Sequence, residues 1–266
     1  KNYDRINIGG DNMRLILNGD DFGFSRAVNA GMIDCYEMGV MNSCSMMVNM
    51  PGAKQAAELM KEYPGLSVGI HLNLTVGTPL TKGLKTLIKD DGTFNKGNLR
   101  DSKHVDIEEI RTELQAQLDY FVELTGQLPT HLNSHHGIEQ IQGGEEVVCE
   151  LSQKYHLPVR RFFTTPEGNH SKVDFEMPLM KFKMVEKSQP SDLTELFTAE
   201  EIASDDIFEF ALHPGYVDYS VMEISSLNTG RAYDAHVFMA DETKEWIKAN
   251  PNITLVGYEG CRKLER

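Results

Sequence analysis

The sequence predicts an α/β protein whose mostly parallel strands form an irregular, closed or nearly closed β/α barrel. Strand and helix patterns alternate along all 266 residues, without a long linker, internal repeat or low-complexity tract. Roughly seven such units fit in one chain, which implies βαβ crossovers and a parallel sheet. The unusual polar residues collect within strands or just past their C-terminal ends, where parallel α/β folds carry their active sites. An open doubly wound sheet is the second architecture.

Taken in order, residues 14–18 (RLILN) form a short apolar strand running into Gly19, Asp20 and Asp21, followed by a helix over about 25–37. Residues 43–48 are the second strand, and Pro51-Gly52 introduces a helix at 54–62 that Pro64-Gly65 stops. The clearest strand is 67–74. Val68, Ile70, Leu72 and Leu74 share one face, and Gly69, His71 and Asn73 the other. The longest helix is expected at 107–125, with Asp106 and Glu109 as a capping box, an apolar stripe through Ile110, Leu114, Leu118 and Phe121, and Gly126 as its stop. A strand at 130–134, a helix at 145–155 and a strand at 159–163 come next. Residues 164–204 read as an irregular insertion. A strand at 207–212, a helix at 241–249 and a strand at 253–256 close a single domain over 14–262, with 1–13 peripheral.

Hydrophobic residues make up 40% and charged residues 25%, enough for a core without disulfides. Cys35, Cys44, Cys149 and Cys261 include no C-x-x-C pair and read as buried reduced thiols. A net charge of −14 repels polyanions and excludes nucleic acid as a partner, while suiting a neutral sugar. No stretch is long and apolar enough for a membrane span, and residues 1–12 lack the apolar core of a signal peptide, so a cytoplasmic address is expected. A homodimer is left open. Trp246 reads as core rather than as a sugar platform.

Each polar cluster, taken alone, has an ordinary explanation. Asp20-Asp21 could cap a helix, yet adjacent buried carboxylates need a cation or a proton. His71 could be a core histidine. His131, His135 and His136 could make a polar loop, and His213, before Pro214-Gly215, could be structural. Together, at one end of one sheet, they point to a metal site. One carboxylate and two neutral imidazoles form a facial ligand set with open positions, suited to Zn²⁺ or a similar ion more than to Mg²⁺. Asp20 could then take a proton from the metal-bound water acting as nucleophile, and His213 could protonate a departing nitrogen. Those roles describe amide hydrolysis.

N-G-D-D-F-G (residues 18–23), V-G-I-H-L-N-L-T (68–75), P-T-H-L-N-S-H-H (129–136) and L-H-P-G (212–215) resemble the YdjC/ChbG carbohydrate deacetylases. The resemblance implies an irregular β/α barrel related to the NodB-type polysaccharide deacetylases. It also implies removal of acetate from chitobiose-type sugars with one divalent metal ion, usually Mg²⁺. Carried onto this sequence, Asp21, His71 and His135 bind the metal, Asp20 is the general base and His213 the general acid. His136, Asn133 and Arg160 are expected to contact the substrate. The chain departs from the family at Gly19, commonly alanine, and at Asn133, commonly aspartate. Its segment 254–261 also lacks the usual Tyr-Arg-Asp ending. The alternatives are hydrolysis of another acylated substrate and a non-catalytic, metal-containing sugar-binding protein.

Overall fold

The computed structural model describes residues 12–97, 104–161, 173–182 and 185–264. The elements, in order, are β1 (Met13–Phe22), α1 (Arg26–Glu37), β2 (Ser43–Met46), α2 (Ala53–Glu62), β3 (Ser67–Leu72), α3 (Ile107–Thr125), β4 (Leu132–Ser134), α4 (Gly144–Tyr155), β5 (Leu179–Lys181), α5 (Ser191–Thr194), α6 (Ala199–Ile202), β6 (Ile207–Leu212), α7 (Tyr219–Ile224), α8 (Gly230–Met239), α9 (Asp241–Ala249) and β7 (Ile253–Leu255).

Among the described residues, seven strands form one sheet in the order β4-β3-β2-β1-β6-β5, with β7 beside the first residues of β1. Every pairing is parallel. No described pairing joins β4 to β5, so the sheet curls into a half-barrel, the irregular form of the expected barrel.

Strand alternation divides the sheet into two faces. Leu15, Leu17, Cys44, Val68, Ile70, Leu72, Leu132, Phe208 and Phe210 belong to the main core, together with Val28 and Met32 of α1, Ile110, Leu114 and Phe121 of α3, and Phe238 of α8. The opposite, concave face is polar. Asn18, Ser43, Ser45, His71, His131, Asn133 and Glu209 lie there, all buried. A small apolar plug of Ile16, Ile207, Tyr258 and Cys261 sits in a separate cluster. This split explains how the aliphatic face of β3 can carry stability while its Gly69/His71 face carries chemistry.

Helices α7 and α8 fall where none was expected, and four further elements differ from expectation. β1 runs on through Asp20 and Asp21 to Phe22, because the chain remains paired with β2 as far as Phe22↔Met46 across a register shift. The strand expected at 159–163 is reduced to one bridge, Val159↔Leu132, with 162–163 outside the described residues. The insertion at 164–204 supplies the edge strand β5 as well as α5 and α6, because parallel pairing with β6 captures Leu179–Lys181. The capping box of α3 is half formed: Asp106 accepts from the Glu108 amide, but Glu109 faces away.

Glu109 instead joins a polar rail along α3. Its carboxylate accepts from the amides of Lys85, Thr86 and Leu87. Glu113, fully buried, accepts from the amides of Leu80 and Thr81 at 3.1 and 2.9 Å and from Gln117 at 2.8 Å. Gln117 in turn accepts from the Asn73 amide and donates to its carbonyl. Spacings of four residues place these three on one helix face, so α3 grips the chain leaving β3.

Candidate active site and metal centre

The Asp20-Asp21 pair is not a helix cap: Ser25 takes that role, accepting from the Val28 amide at 3.2 Å. Consecutive strand residues normally point to opposite faces. Here the register shift between Gly19 and Phe22 coincides with Asp21 in the left-handed region, φ 76°. A bulge with one left-handed residue re-aims a side chain, at a conformational cost of about 1 kcal/mol. Both carboxylates thereby serve one site.

Asp21 Oδ1 lies 3.0 Å from His135 Nδ1 and 3.3 Å from His71 Nε2. One ligand atom from each of Asp21, His71 and His135 falls within 4.8 Å of the others, and all three residues are buried. Asp21 Oδ2 is held by Arg231 Nη2 at 2.8 Å.

The protonation pattern tests whether this set fits a cation. His71 Nδ1 sits 2.7 Å from Asn133 Oδ1, an acceptor, so its proton belongs on Nδ1 and the Nε2 lone pair faces Asp21. Asp21 Oδ1 and His71 Nε2 are both buried without a hydrogen-bond partner. Two acceptors facing each other in a dry site repel unless a cation or proton sits between them.

The titration directions agree. Burial alone would lower His71, but the Asp20 and Asp21 carboxylates push it up. Burial holds His135 below the usual histidine range, keeping it a neutral imidazole. Burial would raise Asp21, yet His135 and Arg231 hold it well below the carboxylate range. Within the hydrogen-bonded cluster, three carboxylates (Asp20, Asp21, Glu209) face two guanidiniums (Arg160, Arg231), leaving one negative charge for a divalent ion to reverse. The residues fit a divalent cation.

Asp20 lies beside this centre. Arg160 donates to it through Nη1 at 2.7 Å and Nη2 at 2.9 Å. Asn18, Ser45 and Asn133 donate to its Oδ1 at 2.8, 2.9 and 3.2 Å. Burial would raise its pKa, but the Arg160 charge, aided by His71, holds the carboxyl below the usual range. Asp20 therefore stands as a carboxylate in the resting site.

His213 follows β6, and its amide donates to Asp234 Oδ2 at 2.9 Å. Asp20, Asn133, His136, Arg160, His213 and Asp234 all line one cavity of about 840 Å³. Asp21, His71 and His135 do not line it but adjoin its wall: His71 Nδ1 is 4.0 Å from Asp20 Oδ1, and the rings of His135 and His136 have centroids 3.8 Å apart. His136 has φ 60° and shares a hydrogen bond with Thr75 at 2.8 Å. Asn133 and Arg160 spend most of their donors on Asp20, Ser45 and Glu209 while touching the cavity wall. Gly19 is less neutral than its alanine counterpart suggests: a methyl there would meet Met41 Sδ at 2.7 Å and Pro214 Cγ at 3.1 Å.

Sequence reading missed Arg231, Asp234, Glu209 and Tyr258. Arg231 and Asp234 sit on α8, which it did not assign. Glu209 had a visible signal, a lone charge inside the apolar run I-F-E-F-A-L.

A curled parallel sheet with a buried Asp21-His71-His135 cluster, and with Asp20, His136, Arg160 and His213 lining a cavity nearby, has the construction of a hydrolytic enzyme. The chain belongs to the YdjC-like protein family, whose model matches residues 14–249. A carbohydrate deacetylase of Halalkalibacterium halodurans is 37% identical over 92% of this chain and all of its own length. One from Clostridium beijerinckii is 34% identical over 93% of this chain and 99% of its own. A candidate cellobiose-phosphate cleavage protein from Enterococcus faecalis superposes with a TM-score of 0.84 at 26% identity, covering 93% of this chain and 98% of that one. The catalytic domain of a peptidoglycan N-acetylglucosamine deacetylase from Eubacterium rectale shares the fold, with a TM-score of 0.52 at 11% identity over 96% and 92%.

Proposed function

We propose that this protein is a divalent-metal-dependent carbohydrate deacetylase that hydrolyses the N-acetyl amide of small, chitobiose-type sugars. The observation that carries the reading is the facing pair of orphaned acceptors, Asp21 Oδ1 and His71 Nε2, with His135 alongside; Asp20, 4.0 Å from His71, and His213 line the cavity next to them. The names of the relatives support deacetylation of a carbohydrate. Asp21, His71 and His135 would hold the ion, and this nitrogen-rich set suits Zn²⁺ or a similar borderline ion better than Mg²⁺. When bound, the ion would polarise the acyl carbonyl and make water acidic enough to attack near neutral pH.

The chain's own groups supply the rest. Asp20, held in place as a carboxylate by Arg160, accepts the proton of the attacking water. His213, with its backbone tied to Asp234, stands on the same cavity to deliver a proton to the departing nitrogen. Arg231 fixes the second oxygen of Asp21, so that Oδ1 is left for the ion. The cavity, about 840 Å³, lies within the usual range of small-molecule pockets of about 300–1,000 Å³.

The test is metal analysis of the freshly purified protein, with acetate release from N,N′-diacetylchitobiose measured before and after chelation. The expected result is about one divalent ion per chain and activity lost on chelation, then restored by the ion. Turnover that survives chelation, or an Asp20→Asn variant that releases acetate at the parent rate, would overturn the reading.

A further inference from the structure

Glu209 occupies the middle of β6 with no exposed surface. A buried carboxylate is tolerated only when charge and hydrogen bonds compensate it. Its partners are Arg160 Nε, at 3.1 and 3.2 Å to its two oxygens, Arg160 Nη2, and the hydroxyl of fully buried Tyr258. The other edge of the same guanidinium forms the double contact to Asp20. Arg160 is thus a rigid plate between a carboxylate on β6 and one on β1. Neither Glu209 nor Tyr258 belongs to the metal triad or to the described cavity lining.

The backbone fixes Arg160 at its amide, which donates to the Leu132 carbonyl at 2.9 Å beside the bridge Val159↔Leu132, but leaves its long side chain to be aimed by other contacts. A long side chain leaving such a segment must be oriented by its partners, and a planar fork bound along one edge has its opposite edge aimed as a consequence. We propose that Glu209, steadied by Tyr258, is a positioning residue: it fixes Arg160 and, through it, the placement of Asp20 beside the metal ligands. Without the Glu209 anchor the fork can turn, and Asp20 loses its double contact while the three ligands keep theirs. The inference rests on Asp20 acting as the base in the deacetylase reading, so one readout below is independent of turnover.

Glu209→Gln and Tyr258→Phe are compared with the parent chain for kcat and KM of acetate release, for divalent-ion affinity by calorimetry, for Tm, and for the Arg160 Nε–H resonance by ¹⁵N NMR. Glu209→Gln is expected to lower kcat about tenfold, Tyr258→Phe by about threefold, with KM and ion affinity within about twofold. The Arg160 signal, protected in the parent, should broaden in Glu209→Gln. Adding Glu209→Gln to Asp20→Asn should cost nothing further, because both act on one step.

An unchanged kcat in soluble Glu209→Gln, additive losses in the double variant, or kcat falling only in step with ion affinity and Tm would overturn the proposal. If Glu209→Gln fails to fold, an unchanged kcat in Tyr258→Phe does so instead. If the parent itself releases no acetate, the deacetylase reading fails; the Arg160 resonance still decides the anchoring, which an undisturbed signal in Glu209→Gln would refute.

Discussion

At Gly69 the imidazole of His131 lies over the concave face of β3, where a side chain would otherwise stand. A Cβ at this position would come within 2.5 Å of His131 Nε2, and the other ring atoms nearest to it belong to the same imidazole. Ordinary carbon contacts begin near about 3.5 Å, so the ring would have to retreat by about 1 Å. It has nowhere to go: His131 is fully buried and stacks on Tyr258 with ring centroids 3.7 Å apart and planes 9° apart. Tyr258 is pinned in turn by its hydrogen bond to Glu209. Overpacking of a rigid core typically costs about 1–3 kcal/mol, and a pinned ring belongs at the upper end. In a chain of this size about 3 kcal/mol lowers Tm by about 6–12 °C.

Gly69→Ala is therefore expected to unfold that much earlier in a calorimetric scan of the metal-free protein. His131→Ala opens space for the methyl, so Gly69→Ala in that background should cost under about 1 kcal/mol, a coupling typical of residues in contact. A Gly69→Ala protein melting within about 2 °C of the parent, or strictly additive effects in the double variant, would refute the packing argument.

Two further outcomes follow from the rail on α3. Glu113→Ala leaves the part-buried amides of Leu80 and Thr81 without their acceptor. A loss of about 1–3 kcal/mol and faster hydrogen exchange at those two amides are expected; unchanged exchange would count against the rail. Burial would raise the Glu109 carboxyl, but hydrogen bonds from Thr86, Lys85 and Leu87 hold it below its ordinary 4.5. Its folded value lies under the unfolded one, so its stabilisation is complete above pH 4.5 and is lost as pH falls through the folded value. Urea midpoints measured downward from pH 6 should fall less steeply in Glu109→Gln than in the parent, and parallel curves would contradict this assignment.

Gly69 and Glu109 both owe their roles to partners distant in sequence, His131 and the chain around Thr86. Period-two alternation made β3 readable, and with it the separation of His71 from the aliphatic face, since alternation is a local property of the chain. The bounds of α3, β6 and α9 were legible for the same reason: caps, stops and apolar stripes act over a few residues. The bulge at Asp21 was not, because a left-handed aspartate has no local signature in N-G-D-D-F-G. The sequence offers Arg160 only as an expected substrate contact. That it bridges two buried carboxylates depends on chain segments 140 and 49 residues away.

The sequence by itself determined the alternating α/β plan, the polar face of β3 and the short motifs that carry Asp20, Asp21, His71, His135 and His213. Only the tertiary structure decided that the sheet stops at a half-barrel, that both aspartates serve one site, and that Arg231 and Glu209 hold the charges in place. Periodicity and capping are written in neighbouring residues, whereas the balance of buried charge is fixed only when distant strands bring their side chains together in a dry interior.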